Sequence, residues 1–246
     1  MRILEACIES VESAIAAEAG GAKRVELCGN LIEGGTTPSS GMVKAVQSAC
    51  SLPIMMMIRP RGGDFLYSDY ELEVMKEDIL EAKNLGVQGI VLGLLTTDGK
   101  VDVLKTNQLM TTASPLEVTF HRAFDMTPDP FEALSILMDL GVNRILTSGQ
   151  EATAPEGSGL IAELIERANG RITILPGGGI DENTIEDLTQ IAGLNEFHAT
   201  GSEVTSSAMT FKNEKIYMGS PGLPEYSLVR TNEEKIRKMV NKINSL

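Results

Sequence analysis

Eight short β-rich apolar runs recur along the chain, each ending in polar or glycine-rich residues and, with one interruption, followed directly by a helical pattern. The runs are Ile3–Ile8, Arg24–Cys28, Ile54–Arg59, Gly89–Gly93, Leu116–His121, Arg144–Ser148, Ile172–Pro176 and Glu196–Thr200. Parallel strands joined by helices in this number close into a (β/α)8 TIM barrel. Every C-terminal strand end then opens on one mouth, where such barrels carry their ligand sites. The 246 residues fit a single domain of this kind, spanning 1–246, because ~250 residues is typical of one barrel.

The helical stretches carry their own boundary signals. Ser10 caps a helix through Glu18, Ser39 or Ser40 opens the second, and Ser68 or Asp69 starts a charged helix through Asn84. Short hydroxyl and carboxylate side chains satisfy the free amides of a first turn. Asp129–Leu140 follows two prolines, Asp181 caps a helix through Ile191, and the last helix is Thr231–Ile243. Gly86, Gly141 and Gly170 fall where left-handed C-caps need glycine. The interruption is Glu203–Tyr226, whose Gly219, Pro221, Gly222 and Pro224 mark a long loop or hairpin.

With 34 acidic against 21 basic residues, the net charge is −13, which opposes nucleic acid and anionic membranes at long range. No apolar run approaches the ~20 residues of a membrane span. No basic, apolar and small-residue leader opens the chain. The expectation is a soluble, cytoplasmic protein with neither a nucleic-acid nor a membrane partner. Its three cysteines do not make a disulfide framework in that compartment.

Side chains alternate faces along a strand, and this sorts the runs. Glu5, Cys7 and Glu9 share one face of the first; Arg24, Glu26 and Cys28 match them on the second. Met55, Met57 and Arg59 follow, then Glu117, Thr119 and His121, then Glu196, His198 and Thr200. These sets point into the barrel while their apolar neighbours meet the helices. Barrel interiors are usually branched aliphatics, and a buried unpaired carboxylate is costly. Glu5, Glu26 and Glu117 must therefore pair with Arg59, Arg24, the histidines or a bound cation. In the lower layers a purely structural ion network satisfies the pattern equally well.

Two constellations at the mouth carry chemistry. The E-x-C triplet occurs twice, as Glu5-Ala6-Cys7 and Glu26-Leu27-Cys28 on neighbouring strands, and brings two thiols towards each other. Thiolates with a thioether such as Met57 nearby suit Cu(I), although buried cysteines more often simply pack, as Cys50 does in this reading. The second constellation is Arg59-Pro60-Arg61-Gly62-Gly63 with Pro176-Gly177-Gly178-Gly179. Guanidinium forks and glycine amides of this kind grip an anionic small molecule. The only two histidines, His121 and His198, also fall at mouth positions. His121 suits a general acid or base, oriented by Asp125 or Glu117.

The strings ELCGNLIEGGTTPS (Glu26–Ser39), MIRPRGGDFLYSD (Met57–Asp69), TFHRAFDM (Thr119–Met126), ILTSGQ (Ile145–Gln150) and LPGGGI (Leu175–Ile180) resemble the CutC family, named for copper homeostasis. They occur in family order across nearly the whole chain. The resemblance implies a cytoplasmic barrel, a homo-oligomer (dimer or tetramer) and a copper ion as partner and cofactor. By that resemblance Cys7 and Cys28 occupy the thiol-ligand positions. Arg59, Arg61, His121, Arg122, Ser148, Gly177, Gly178, Gly179 and His198 match the mouth motifs. Thr200 stands where the family pattern has serine. Two functions stay open: a Cu(I)-binding protein of copper homeostasis, or a barrel enzyme of a phosphorylated or carboxylated metabolite whose link to copper is indirect. Glu26, Arg59, Arg61, Arg122, Ser148, Gly177–Gly179, His198 and Thr200 would bind that metabolite.

Overall fold

A computed structural model describes residues 2–216, 218 and 225–245. Gly219, Pro221, Gly222 and Pro224 of the expected interruption lie outside these. Eight strands alternate with helices: β1 (Ile3–Ile8), α1 (Val11–Gly20), β2 (Arg24–Leu27), α2 (Ser40–Ala49), β3 (Ile54–Met57), α3 (Asp69–Leu85), β4 (Gly89–Leu92), α4 (Val103–Ala113) and β5 (Glu117–Phe120). The series continues with α5 (Pro130–Asp139), β6 (Arg144–Thr147), α6 (Ser158–Ala168), β7 (Thr173–Pro176), α7 (Ile185–Leu188), β8 (Glu196–Ala199), β9 (Ser202–Ser206), β10 (Ser227–Thr231) and α8 (Glu233–Asn244). The first eight strands are parallel in the order β7-β6-β5-β4-β3-β2-β1-β8, and β8 touches β7 without a ladder to complete the ring. This is the (β/α)8 barrel. β9 and β10 pair antiparallel as a separate hairpin.

The alternation of faces divides the core. Leu4, Ala6, Ile8, Val25, Leu27 and Met56 belong to the large apolar layer between strands and helices. Cys7, Cys28, Met55, Met57 and Val91 form a second, separate cluster inside the ring.

Several boundaries differ from expectation. Cys28, Arg59, His121, Ser148 and Thr200 fall just past the strand ends, although the amides of Cys28 and His121 still reach Ile8 and Leu92 carbonyls. They begin the loops, which turns them over the mouth. The helix expected over Asp181–Ile191 contracts to the four residues of α7. Asp181 still makes the bonds of a cap, its Oδ1 accepting from the amides of Asn183 and Thr184 and its carbonyl from Ile185 N, but i to i+3 turns replace the expected helix beyond α7. Thr231 ends β10, and Asn232 caps the last helix.

The caps at Ser10, Ser39 and Ser68 stand as expected. At Ser68 the hydroxyl accepts from Glu71 N while the Glu71 carboxylate accepts from Ser68 N at 2.7 Å. Ser68→Ala should cost about 1 kcal/mol in denaturant unfolding, the usual worth of an N-cap.

Candidate functional site

Glu5 and the opening residues of β2, β5, β6 and β8 form an ion network at the end opposite the mouth. The Arg24 guanidinium binds Glu5 through Nε and Glu196 through Nη2, the latter at 2.6 Å. Arg144 joins Glu196 at 3.0 Å and Glu117 at 2.6 Å. Glu117 is thus held at the floor, with Gln88 as a further donor, and does not approach His121 or the mouth. Its partner is Arg144 rather than the groups named from sequence, because each of the two residues opens its strand.

One layer higher the ladder register builds a mixed cluster. Cys7 lies beside Glu26, Glu26 beside Met55, and Glu5 beside both Arg24 and His198. His198 Nδ1 meets Glu5 Oε1 at 2.8 Å, and its Nε2 faces Glu26 Oε2 at 3.6 Å. Both thiols donate to that same Glu26 oxygen, Cys7 at 3.1 Å and Cys28 at 3.6 Å. A sulfur of Cys7, a carboxylate oxygen of Glu26 and a ring nitrogen of His198 all lie within 4.8 Å of one another. Glu26 Oε1 is buried with no partner among the described residues.

Charge in this pocket is tightly apportioned. Burial opposes ionisation of Glu5, but the hydrogen bond from His198 and the Arg24 charge hold its carboxyl at about 2. Burial alone would discharge His198, yet Glu26, Cys7 and Glu5 raise it well above the ordinary histidine range. Burial, with Glu5 close by, moves Glu26 upward despite the opposing His198 charge. The Cys28 contact, burial and the Glu26 carboxylate push the Cys7 thiol far up. Contact with Cys7 lowers Cys28, but burial and Glu26 prevail and bring it to about 11. Both sulfurs are therefore neutral thiols in this state.

The two cysteines are not equivalent. Cys7 lines the mouth cavity, whereas Cys28 is sealed beneath Gly35. A Cβ on Gly35 would come within 2.9 Å of Cys28 Sγ, and its φ of +89° also favours glycine. Arg59 clasps this lid, donating to the carbonyls of Glu33, Gly35 and Gly63 at 2.7–2.9 Å. Gly35 and Glu33 were not singled out from sequence; the Gly34-Gly35 pair was the available signal.

The cavity is about 570 Å³, and Glu26, Arg59, His121 and His198 all line it, together with Met57, Phe65, Arg122, Gly178, Gly179 and Thr200. His121 is 3% exposed. Its Nδ1 accepts from Ala123 N, so the proton sits on Nε2, which has no partner among the described residues. Burial and the Arg59 charge push its pKa down to about 3.

Arg122 is held by Asp125 through Nε at 2.8 Å and by Ser148 Oγ through Nη2 at 2.7 Å. Asp125 is the hub of this corner, also accepting from Thr147, Ser148 and Gln150. Asp125 and Ser148 thus position Arg122 from behind and do not line the cavity. Arg61 is not brought to the cavity either: its fork binds Asp64, Glu71 and Leu66 O beside α3. Gly177 packs behind it against Leu146 and His198.

Comparison with known proteins agrees with the barrel. The CutC family model matches residues 2–203. This chain belongs to the CutC family. A human copper homeostasis protein cutC homolog is 50% identical over 238 residues, covering 96% of this chain and 87% of the human one. A CutC family protein from Chromobacterium violaceum is 46% identical, with 97% and 96% covered. The crystal structure of a CutC protein from Streptococcus agalactiae superposes with a TM-score of 0.78 at 37% identity, over 81% of this chain and 99% of that one. A thiamine phosphate pyrophosphorylase from Pyrococcus furiosus shares the barrel, with a TM-score of 0.60 at 10% identity over 99% and 96% of the two chains. At that identity the likeness is one of fold alone. Among the described residues of this CutC family member, no helix is long and apolar enough to cross a membrane.

Proposed function

We propose that this CutC family protein is a cytoplasmic Cu(I)-binding protein, with copper as its cargo and Cys7 as the central ligand. The observation that carries the reading is the convergence of Cys7, Glu26 and His198 within 4.8 Å at the base of the cavity. Cys28 and Met57 belong to the same interior cluster as Cys7. Thiol, imidazole and thioether are the soft and borderline donors that Cu(I) selects. The Glu26 Oε1 atom, without a hydrogen-bond partner among the described residues, leaves an acceptor position open in the same group. Fit is good for a soft cation and poor for a hard one, because Glu26 is the sole carboxylate of the group. Both thiols are protonated without metal, so binding must release protons.

The ligand set differs from a plain Cys7–Cys28 pair. Cys7 faces the cavity and meets an incoming ion, while Cys28 sits one step deeper under the Gly35 lid. Self-association belongs to the same reading: Val204 and Val229 of the hairpin and Phe211 beyond it are exposed and supply apolar surface for a second copy.

Anaerobic Cu(I) titration against a chelator tests the metal site. Loss of the thiolate in Cys7→Ser should weaken binding by about a hundredfold, and Cys28→Ser by about tenfold. Cys50, which caps α2 in the outer layer, should be replaceable by serine without effect. Unchanged affinity in Cys7→Ser removes the reading.

A further inference from the structure

One corner of the cavity is not accounted for by a soft cation. Gly178, Gly179 and Ile180 form its wall after β7. The Gly178 carbonyl is taken by Ala154 N at 2.9 Å and the Gly179 carbonyl by Thr184 Oγ1 at 3.2 Å. The amides of Gly178, Gly179 and Ile180 donate to no acceptor among the described residues. Beside them stands the Arg122 guanidinium, fixed through Nε and Nη2 by Asp125 and Ser148, with Nη1 left over. A Cβ on Gly178 would lie 3.0 Å from that Nη1, and the residue has φ +100°. Glycine is thus what permits backbone and guanidinium to lie side by side. Backbone amides next to a fixed guanidinium are an anion cradle.

The rest of the cavity offers complementary groups of another kind. Among the described residues His121 Nε2 is a buried, unpartnered donor, and Glu26 Oε1 a buried, unpartnered acceptor. Glu33 and Asp181 add carboxylates to the rim. Acceptors of this number suit hydroxyl groups, and a volume of about 570 Å³ suits a small metabolite.

We propose that the mouth of this barrel binds a small polyhydroxylated phosphate monoester, its phosphate on Arg122 and the amides of Gly178–Ile180 and its hydroxyls directed to His121 and Glu26. Three amides and a guanidinium nitrogen match the three terminal oxygens of a phosphate better than the two of a carboxylate. The phosphate cradle uses none of Cys7, Glu26 and His198, so it stands whether or not copper binds below; only the hydroxyl contact to Glu26 is shared with that site.

The probes are ribose 5-phosphate, ribose, gluconate and inorganic phosphate, each titrated by calorimetry and by thermal unfolding of the metal-free protein. Ribose 5-phosphate should bind and raise Tm, ribose and gluconate should bind at least tenfold more weakly, and inorganic phosphate should fall between. Arg122→Met should lower the ribose 5-phosphate affinity at least tenfold while leaving the Cu(I) titration unchanged. The contrast among the four probes is read on the unmodified protein and does not depend on the variant's folding. Absence of ribose 5-phosphate binding, equal binding of gluconate, or full affinity in a folded Arg122→Met variant each overturns the proposal.

Discussion

Arg24→Met should lower the melting temperature by roughly 10–15 °C, corresponding to about 3–5 kcal/mol for breaking a buried ion pair from one side. Arg24 is 6% exposed and neutralises two carboxylates at once, Glu5 and Glu196. Glu5 is itself 1% exposed, so without the guanidinium its charge stays in the barrel interior with only His198 to meet it. The loss propagates upward, because Glu5 orients the imidazole that faces Cys7 and Glu26. Arg24→Lys keeps a charge, but one ammonium cannot reproduce a fork that reaches two carboxylates, and it should lose less than the methionine variant. Thermal unfolding followed by far-UV circular dichroism reads both. A loss below about 1 kcal/mol in Arg24→Met would show that the floor network is dispensable.

Most of the barrel is readable from period and parity. Each strand needed only its β-rich run, and the faces followed: Met55 and Met57 went inside while Met56 joined the outer layer. Helix starts were legible because a serine before an apolar pattern has one local use, as Ser10, Ser39 and Ser68 show. Parity says which residues face inward but not at what height. That is why Glu117 looked like a partner for His121 yet lies on the floor with Arg144. Height is set by the first residue of each strand and by ladder register, which no single run contains. Loop partners were equally hidden. Arg61 has the sequence context of an anion clamp, but its fork is taken up by Asp64 and Glu71. Asp181 reads as a helix cap and makes a cap's bonds, yet the segment behind it turns i to i+3 for most of its length, which the residues after the cap did not signal. The E-x-C repeat was visible, while the lid that covers Cys28 depends on Arg59 reaching three carbonyls across thirty residues of chain.

His121 should make the protein acid-labile in a window set by its own titration. In the unfolded chain an imidazole titrates near 6.5; in the barrel it is pushed to about 3 by burial and by the Arg59 charge. Below the unfolded value the unfolded chain takes up a proton that the folded protein refuses. Stability from this group is therefore complete above about pH 6.5 and is lost as pH falls towards 3. Between about pH 7 and pH 4.5 the loss is on the order of 3 kcal/mol. Other buried groups act differently. His198, raised in the folded state, contributes stability that is already complete below 6.5 and is lost only at higher pH. Glu5, lowered to about 2, begins to lose its contribution only below its unfolded value of 4.5. Glu26, raised, works in the opposite sense to His121. A difference between variants isolates the His121 part from these. His121→Asn keeps an acceptor for Ala123 N, the bond that Nδ1 makes at the start of the 122–126 turn, but cannot take up a proton. Its denaturant midpoint should fall much less than that of the unmodified protein between about pH 7 and pH 4.5. Parallel pH profiles for the two proteins would mean that the imidazole reaches solvent and titrates normally, and that the buried Nε2 donor facing the cavity does not exist in solution.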